Sequence, residues 1–450
     1  MTPAASRPLW SRFLAFLAPL VLTNVLQALA GTVTTIYLGR LLGVRSLAAA
    51  VSFFPLLMCC IGFVVGLGAG ASVLTGQAWG ARDPDKVRRV AGTVLVGGLL
   101  LSCLVAGAGL AGIGFVLRAL GTPADILPDA VMYARVFMLA IPPLFLHLLS
   151  AALLRGLGDT LIPLRALVVA SGVSIALTPA FILGWLGLPR LGTASAAWAS
   201  VVGNILAVGW IAWHLHRRQH MLAPSALRPH LHLDRGLIRT VVRLGIPTGL
   251  FFVTSSLADV LLLSLVNTYG SQATASWGAV NQVMAYVQFP AMSIAIAASV
   301  FAAQAIGAGQ LHEVEHVTRV GLWMNLLLTG SLAILAALAA PLAVALFTRD
   351  PVVIELAASL LLVTVWGSVA FGMASVFTGV MRAAGTVRVP TAMSLGCIAF
   401  LLFPLAWALQ RAVGVKGIWI SYPVTYACAL VLQALYFYGV WKRKPIRRLV

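Results

Sequence analysis

Charge is what this sequence has least of. Only 9% of its 450 residues are Asp, Glu, Lys or Arg, whereas a soluble domain carries about 25%. So few charges cannot cover a water-facing surface, which excludes a soluble globular protein. Acid is scarcer still, with 11 Asp and Glu against 30 Lys and Arg. The five cysteines, Cys59, Cys60, Cys103, Cys397 and Cys428, form no C-x-x-C pair and no metal-ligand spacing. That excludes a disulfide framework. The phosphate-binding pattern G-x-x-x-x-G-K-[S/T] is missing, so ATP-driven transport by this chain alone is not expected. No Ser-His-Asp arrangement can be assembled, because nearly all the acids and most histidines fall outside the apolar runs or at their ends. Neither an enzyme nor a cofactor is expected. A cleavable signal peptide is not expected either: the first apolar run is long enough to span a bilayer, and no A-x-A-like site follows it.

What is present is apolar. Hydrophobic residues make up 61% of the chain, and the mean hydropathy is +1.00. A membrane-spanning helix needs about 20 such residues. The runs predict twelve spans, over 13–38, 47–74, 91–118, 131–154, 165–187, 194–215, 246–267, 275–303, 320–347, 354–380, 391–409 and 417–440. They are too long and too continuously apolar for the alternating strands of a barrel. The expected class is therefore an all-α polytopic membrane protein. Several runs exceed the minimum length, which implies tilt or kinks.

The net charge of +19 raises the question of nucleic acid, and its distribution answers it. With the N-terminus placed in the cytoplasm, 22 of the 30 Lys and Arg fall on the cytoplasmic side of the twelve spans. This is the positive-inside bias of a plasma-membrane or bacterial inner-membrane protein with both termini inside. The basic tail "WKRKPIRR" would lie against anionic lipid headgroups. No nucleic-acid partner is expected.

An internal repeat organises the chain. "SVLTGQAWGARDPDKVRRV" begins at Ser72 and "SVFAAQAIGAGQLHEVEHV" at Ser299, an offset of 227. The offset pairs Gln77 with Gln304 and Gly80 with Gly307. Far along the chain it also pairs Arg155 with Arg382, Gly158 with Gly385, and Gly43 with Gly270. Near the ends it drifts, so that Pro19 matches Pro247 and Gly192 matches Gly414. The expected organisation is an N-lobe over 1–218 with helices 1–6, a basic, His-rich cytoplasmic linker over 219–235, and a C-lobe over 236–450 with helices 7–12 and the basic tail. Six is even, so both halves enter the membrane in the same orientation. Parallel repeats of this kind are the plan of many secondary transporters, with the substrate between the halves.

The repeat motifs resemble those of the multidrug and toxic compound extrusion (MATE) family. "LAPLVLTN" stands at the head of helix 1 and "GRLLGVRSLAAAV" after it. "QAWGA" and "QAIGA" end helices 2 and 8, and "LRGLGDTLIP" follows helix 4. The resemblance covers nearly the whole chain. It implies two six-helix lobes in a V shape, a monomer, and export of organic cations or amphipathic drugs and metabolites by antiport against protons or sodium. It leaves a lipid-linked oligosaccharide flippase of the same superfamily as the alternative. Gln77, Gly80, Arg155, Gly158, Gln304, Gly307, Arg382 and Gly385 read as structural punctuation at helix ends, the glycines supplying turns and Arg155 and Arg382 neutralising helix C-termini or loop carboxylates such as Asp159.

The acids locate the chemistry. Of all eleven, only Asp259 in "FFVTSSLADVLLLSLV" lies deep inside a span. A carboxylate there is costly and is a functional candidate by default. It can take up and release a proton as the cavity opens to each side, or it can attract a cationic substrate. The family usually carries an Asp in helix 1, where this chain has Thr34. Many proton-coupled members carry another in helix 5, where this chain has Thr178. The family's helix-7 Glu falls near Ser255, one turn from Asp259 on the same face. Coupling is therefore expected to run through Asp259, by protons rather than sodium, because a sodium site needs several hard oxygen ligands. Tyr37 and Gln282 are candidate substrate contacts, with Phe251, Phe252, Trp277, Tyr286 and Phe289 as candidate aromatic lining. His147 reads as a satisfied interior histidine.

One motif competes. "HEVEH", residues 312–316, matches H-E-x-x-H, the spacing with which zinc proteases hold their metal. The repeat places it opposite "DKVRR", Asp85 to Arg89, which has polarity but no zinc ligand pair. The reading is a solvated loop at the start of a charged helix, with an intramembrane zinc metalloprotease as the remote alternative and no metal expected.

Overall fold

A computed structural model of the chain describes residues 8–446 and 448–450. Arg7 and Arg447, counted above on the cytoplasmic side, lie outside the described residues. Twelve helices among the described residues are long and apolar enough to cross a bilayer. They run over Leu9–Leu42, Val44–Gly80, Pro84–Ala119, Leu127–Gly156, Leu161–Leu183, Gly192–Arg217, Arg235–Asn267, Ser271–Ala308, Leu311–Leu338, Pro351–Ala383, Arg388–Val413 and Val415–Arg443. They are called spans 1 to 12 in that order. No strand occurs among the described residues. The largest shift from the sequence reading is in span 9, which starts at Leu311 and ends at Leu338. Residues Ala340–Ala345 form a separate short helix, because Pro341 has no N–H to continue the previous ladder.

The repeat is visible in the backbone. Gly43 and Gly270 precede spans 2 and 8 with φ of +87° and +93°. Gly158 and Gly385 follow spans 4 and 10 with φ of +91° and +82°. At Gly43 and Gly270 ψ is 179° and 176°, a region open essentially to glycine alone, and such backbone costs other residues on the order of 1–3 kcal/mol, which is why the sequence repeats glycine there. A third repeat-related pair is uneven: Gly309 has φ +76°, and its counterpart Arg82 has φ +57°. Asp83 and Asp350 open spans 3 and 10, each followed by proline. Their carboxylates accept backbone N–H bonds from Lys86 at 3.0 Å and Val352 at 2.9 Å, the usual satisfaction of a helix N-terminus. The Lys86 amide holds the Asp83 carboxyl below its ordinary value.

Helix crossings follow the same repeat with the roles exchanged. On spans 2 and 4, Gly68 lies against Ala152. On spans 8 and 10 the corresponding positions are Ala295 and Gly379. In each case one glycine admits the neighbouring helix, as membrane helices require for close approach, but the glycine sits on opposite partners.

The described chain forms two compact units that do not divide at the linker. One comprises Leu22–Ile246. The other joins the residues through Val21 to Pro247–Val450. The lobe boundaries expected at 1–218 and 236–450 therefore differ from the compact units in two places. The start of span 1 packs with the second unit, where Phe13 and Phe16 lie 5.0 and 5.5 Å from Phe301. The start of span 7 packs with the first, where a Cβ on Gly70 would meet the Val241 carbonyl at 2.8 Å. Both changes fall beside an in-helix proline, Pro19 and Pro247, where the hydrogen-bond ladder is interrupted.

The basic, His-rich linker is not a loose segment. Leu222, Ala223 and Leu227 are buried. The Thr93 hydroxyl of span 3 donates to the His232 carbonyl at 3.2 Å and accepts from the Asp234 N–H at 3.4 Å. Arg89 pairs with Asp234 at 3.3 Å. The linker is a folded strap against spans 3 and 6. Its apolar residues explain the docking, and its basic residues had masked them.

Candidate functional site

Span 7 buries one stripe, Ala258, Leu262 and Val266, in the core of the second unit. Asp259 flanks that stripe, within about 20° of Val266 on the helical wheel. It therefore borders a packed surface rather than lying under it. Its Oδ1 accepts a hydrogen bond of 2.8 Å from the Tyr422 hydroxyl of span 12. Tyr422 is buried, whereas Asp259 is exposed. The carboxylate is thus held on one side and open on the other.

An aromatic cluster surrounds the phenol. Its ring centroid lies 6.2 Å from Trp277, 6.4 Å from Trp419 and 6.1 Å from Tyr426. The two indoles are 4.7 Å apart. The Trp419 indole N–H is buried without a hydrogen-bond partner. The rings are tilted against one another and buried, so the open carboxylate is the part of this arrangement that suits a cation, by ion pairing. Neither Asp259 nor Tyr422 is bonded to a lysine or arginine among the described residues.

The remaining candidates distribute as follows. Gln282 of span 8 is half-buried in the second unit, with no bond to Asp259 among the described residues. Thr34 and Tyr37 belong to the first unit. Thr34 spends its hydroxyl on the Ala30 carbonyl of its own helix at 2.9 Å. Thr178 does the same with Ser174 at 2.7 Å. Gln77 and Gly307 are buried; Gly80, Gln304, Arg155 and Arg382 are half-buried at helix ends. Asp159 does not turn to Arg155. It caps span 5, accepting from Leu161 and Ile162 N–H at 2.9 and 3.0 Å.

His147 is satisfied at Nδ1, as expected of an interior histidine, by Asn204 of span 6 at 3.0 Å. Two polar residues escaped the sequence reading. Tyr422 stood unremarked in the apolar run of span 12. Asn325, fully buried in a π-helical turn of span 9, donates to the Val369 carbonyl at 2.9 Å and accepts from Thr329 at 3.0 Å. A turn with i→i+5 spacing often marks a functional position, but no sequence pattern announces it.

"HEVEH" is a correction in part. It is not a loop but the first turns of the helix Leu311–Met324, so His312 and His316 do share a face. Both are exposed. Glu315 is engaged by Lys442 at 2.9 Å. No group of three potential metal ligands occurs among the described residues.

A family model described as MatE matches residues 19–180 and, a second time, residues 247–408. This chain belongs to the MatE family. Each match begins on one of the two in-helix prolines, Pro19 and Pro247, that lie within three residues of a change of compact unit. The chain is 38% identical over 454 residues to the Bacillus subtilis protein named "Probable multidrug resistance protein YoeA", covering 100% of this chain and 98% of the relative. It is 25% identical over 385 residues to the Shewanella oneidensis "FAD transporter", covering 85% and 84%. Among solved structures, the fold matches that of an outward-facing multidrug resistance MATE family transporter of the MOP superfamily with a TM-score of 0.88 at 22% identity, over 96% of this chain and 95% of the other. The resemblance to the multidrug and toxic compound extrusion family is thereby established, and with it an integral membrane protein. None of these relatives is named as a flippase or a protease.

Proposed function

We propose that this MatE-family protein is an antiporter that exports organic cations or other amphipathic drugs and metabolites in exchange for protons, by alternating access, with Asp259 as the coupling carboxylate. The observation that carries this reading is the Asp259–Tyr422 pair set in an aromatic cluster. It is an exposed acid at the border of a packed core, with one fixed donor and one open side, and it has no basic partner among the described residues. Such a group binds either a proton or a cation, and competition between the two couples their movements. The "multidrug resistance" name of the 38%-identical relative supports the substrate class. The relative named for FAD points to an anionic cargo, which an acid without a basic partner disfavours. The positive-inside bias supports both termini in the cytoplasm, and in this reading the protein acts as a monomer.

The test is transport of cationic dyes in proteoliposomes under separately imposed proton and sodium gradients. A proton gradient drives efflux, a sodium gradient does not, and Asp259→Asn abolishes the proton-driven component. Full proton-driven transport by Asp259→Asn would overturn the assignment.

A further inference from the structure

The unit Leu22–Ile246 lacks an intramembrane carboxylate, with Thr34 and Thr178 bonded to their own helices. It holds instead a buried imidazole. His147 of span 4 is 4% exposed, and its Nδ1 lies 3.0 Å from Oδ1 of Asn204 on span 6. Asn204 spends its Nδ2 on the Ser200 carbonyl at 2.9 Å. That bond fixes the amide orientation, so the oxygen faces the histidine and Nδ1 must be the ring's N–H donor. Nε2 is left with its lone pair and has no partner among the described residues. Asn204 in turn is 8% exposed, so the pair lies within the unit with little contact to its surface.

We propose that His147 is a second proton-binding site of this transporter, in the unit opposite Asp259, with Nε2 as the atom that accepts the proton and Asn204 as the residue that positions the ring. This rests on the reading of the chain as proton-driven. Imidazole is the side chain whose charge changes within the range of about pH 5 to 8. A hydronium ion gives its proton to the Nε2 lone pair: the N–H bond forms, the donor O–H bond breaks, and water is left. The ring then carries a second N–H, which has no acceptor in the conformation described. Protonation therefore favours a rearrangement of the seam between spans 4 and 6 that supplies one, and this links charge to conformation.

The surroundings leave His147 as the titrating group. Span 4 itself carries Arg155 two turns along, and Tyr133 and Arg135 three to four turns back. Spans 2, 3, 5 and 6, packed against span 4, keep their charged residues at their ends. Between those ends only the thiols Cys59, Cys60 and Cys103 titrate. The two units are alike in one respect: each pairs its titratable group with a residue from the sixth helix of its repeat, Asn204 on span 6 and Tyr422 on span 12.

The test reads His147 directly. Deuterium exchange at the histidine Cε1 position, resolved by peptide mass spectrometry on the full chain in liposomes, reports each ring's titration without any substitution. His147 is expected to show an inflection between about pH 5 and 8. Dye counterflow at equal pH on both sides is expected to change about ten-fold across the same range in the unaltered protein and to lose that dependence in His147→Gln. An exchange curve without inflection, or a His147→Gln profile matching the unaltered one, overturns the proposal. If His147→Gln does not fold, the exchange curve decides alone. Asp259→Asn separates the two readings. If it keeps proton-driven transport, the Asp259 assignment fails, while the His147 inflection is judged independently.

Discussion

The hydroxyl of Tyr422 donates to Oδ1 of Asp259 across 2.8 Å and joins spans 7 and 12 at the edge of the second unit's core. Tyr422→Phe keeps the ring and its contacts with Trp277, Trp419 and Tyr426 and removes only the donor. A hydrogen bond to a charged group contributes about 1.5–3 kcal/mol. Proton-driven dye efflux should therefore slow roughly ten-fold or more, with expression and thermal stability near those of the unaltered protein. Tyr422→Ala should in addition lower the unfolding temperature, since truncating a buried aromatic costs about 3–5 kcal/mol. Efflux at the unaltered rate in Tyr422→Phe would remove this tyrosine from the site.

Asp259 was legible in the sequence and Tyr422 was not, for a physical reason. A lone carboxylate in an apolar run stands out against its neighbours, because burying charge is costly wherever the chain folds. A tyrosine in an apolar run is ordinary, and its partner lies 163 residues away. Hydropathy and a repeat at fixed offset are local or periodic signals, so the twelve spans and the glycine turns could be read directly. The docking of the linker depends on the shape of span 3 at Thr93 and on apolar residues hidden among histidines and arginines, and neither is periodic. The loop expected at "HEVEH" is a helix start, because its charge suggested solvent while its helical spacing is real.

The exchanged glycines of the two helix crossings should differ in tolerance. A Cβ on Gly379 would sit 2.6 Å from the Ala295 backbone carbonyl, whereas one on Gly68 would sit 3.1 Å from the Ala152 methyl. Backbone cannot step aside without moving a helix. Gly379→Ala should therefore destabilise by about 1–3 kcal/mol, outweighing the helix-propensity gain of about 1 kcal/mol. Gly68→Ala should be close to neutral. Thermal unfolding of the two purified variants in one detergent makes the comparison, and equal losses would contradict the repeat-exchanged packing.

Arg82 and Gly309 occupy matching left-handed positions after spans 2 and 8. Arg82→Gly should raise stability by up to about 1 kcal/mol, the relief of a strained side-chain conformation, less the added entropy of the unfolded chain. Gly309→Ala should lower it by a similar amount. Opposite shifts in unfolding temperature are the expected outcome; a loss in Arg82→Gly would show that its side chain contributes more than its backbone costs.

His312 and His316 are exposed, and Glu315 is held by Lys442. His312→Ala and His316→Ala should leave dye transport unchanged, and zinc content, measured by mass spectrometry of the purified protein, should be sub-stoichiometric in all three forms. Stoichiometric zinc lost on either substitution would revive the protease reading.

Asp234 closes the strap to spans 3 and 7, and its acid response has a definite sign. The N–H groups of Leu237 and Gly236 and the guanidinium of Arg89 hold its carboxyl below the ordinary carboxylate value. A carboxylate stabilised in the folded state contributes fully above its unfolded pKa of about 3.9, and the contribution is lost as pH falls through the lower folded value. The strap should therefore be indifferent to pH between about 5 and 8 and loosen only in stronger acid. The Arg89 pair is exposed and adds little. The N-cap is the larger part, about 1 kcal/mol. Asp234→Ala at neutral pH should speed amide exchange across residues 228–238 about five-fold, and the unaltered protein should approach that variant's protection only below about pH 4. Loosening of the unaltered strap already at pH 6 would assign the control to its histidines instead.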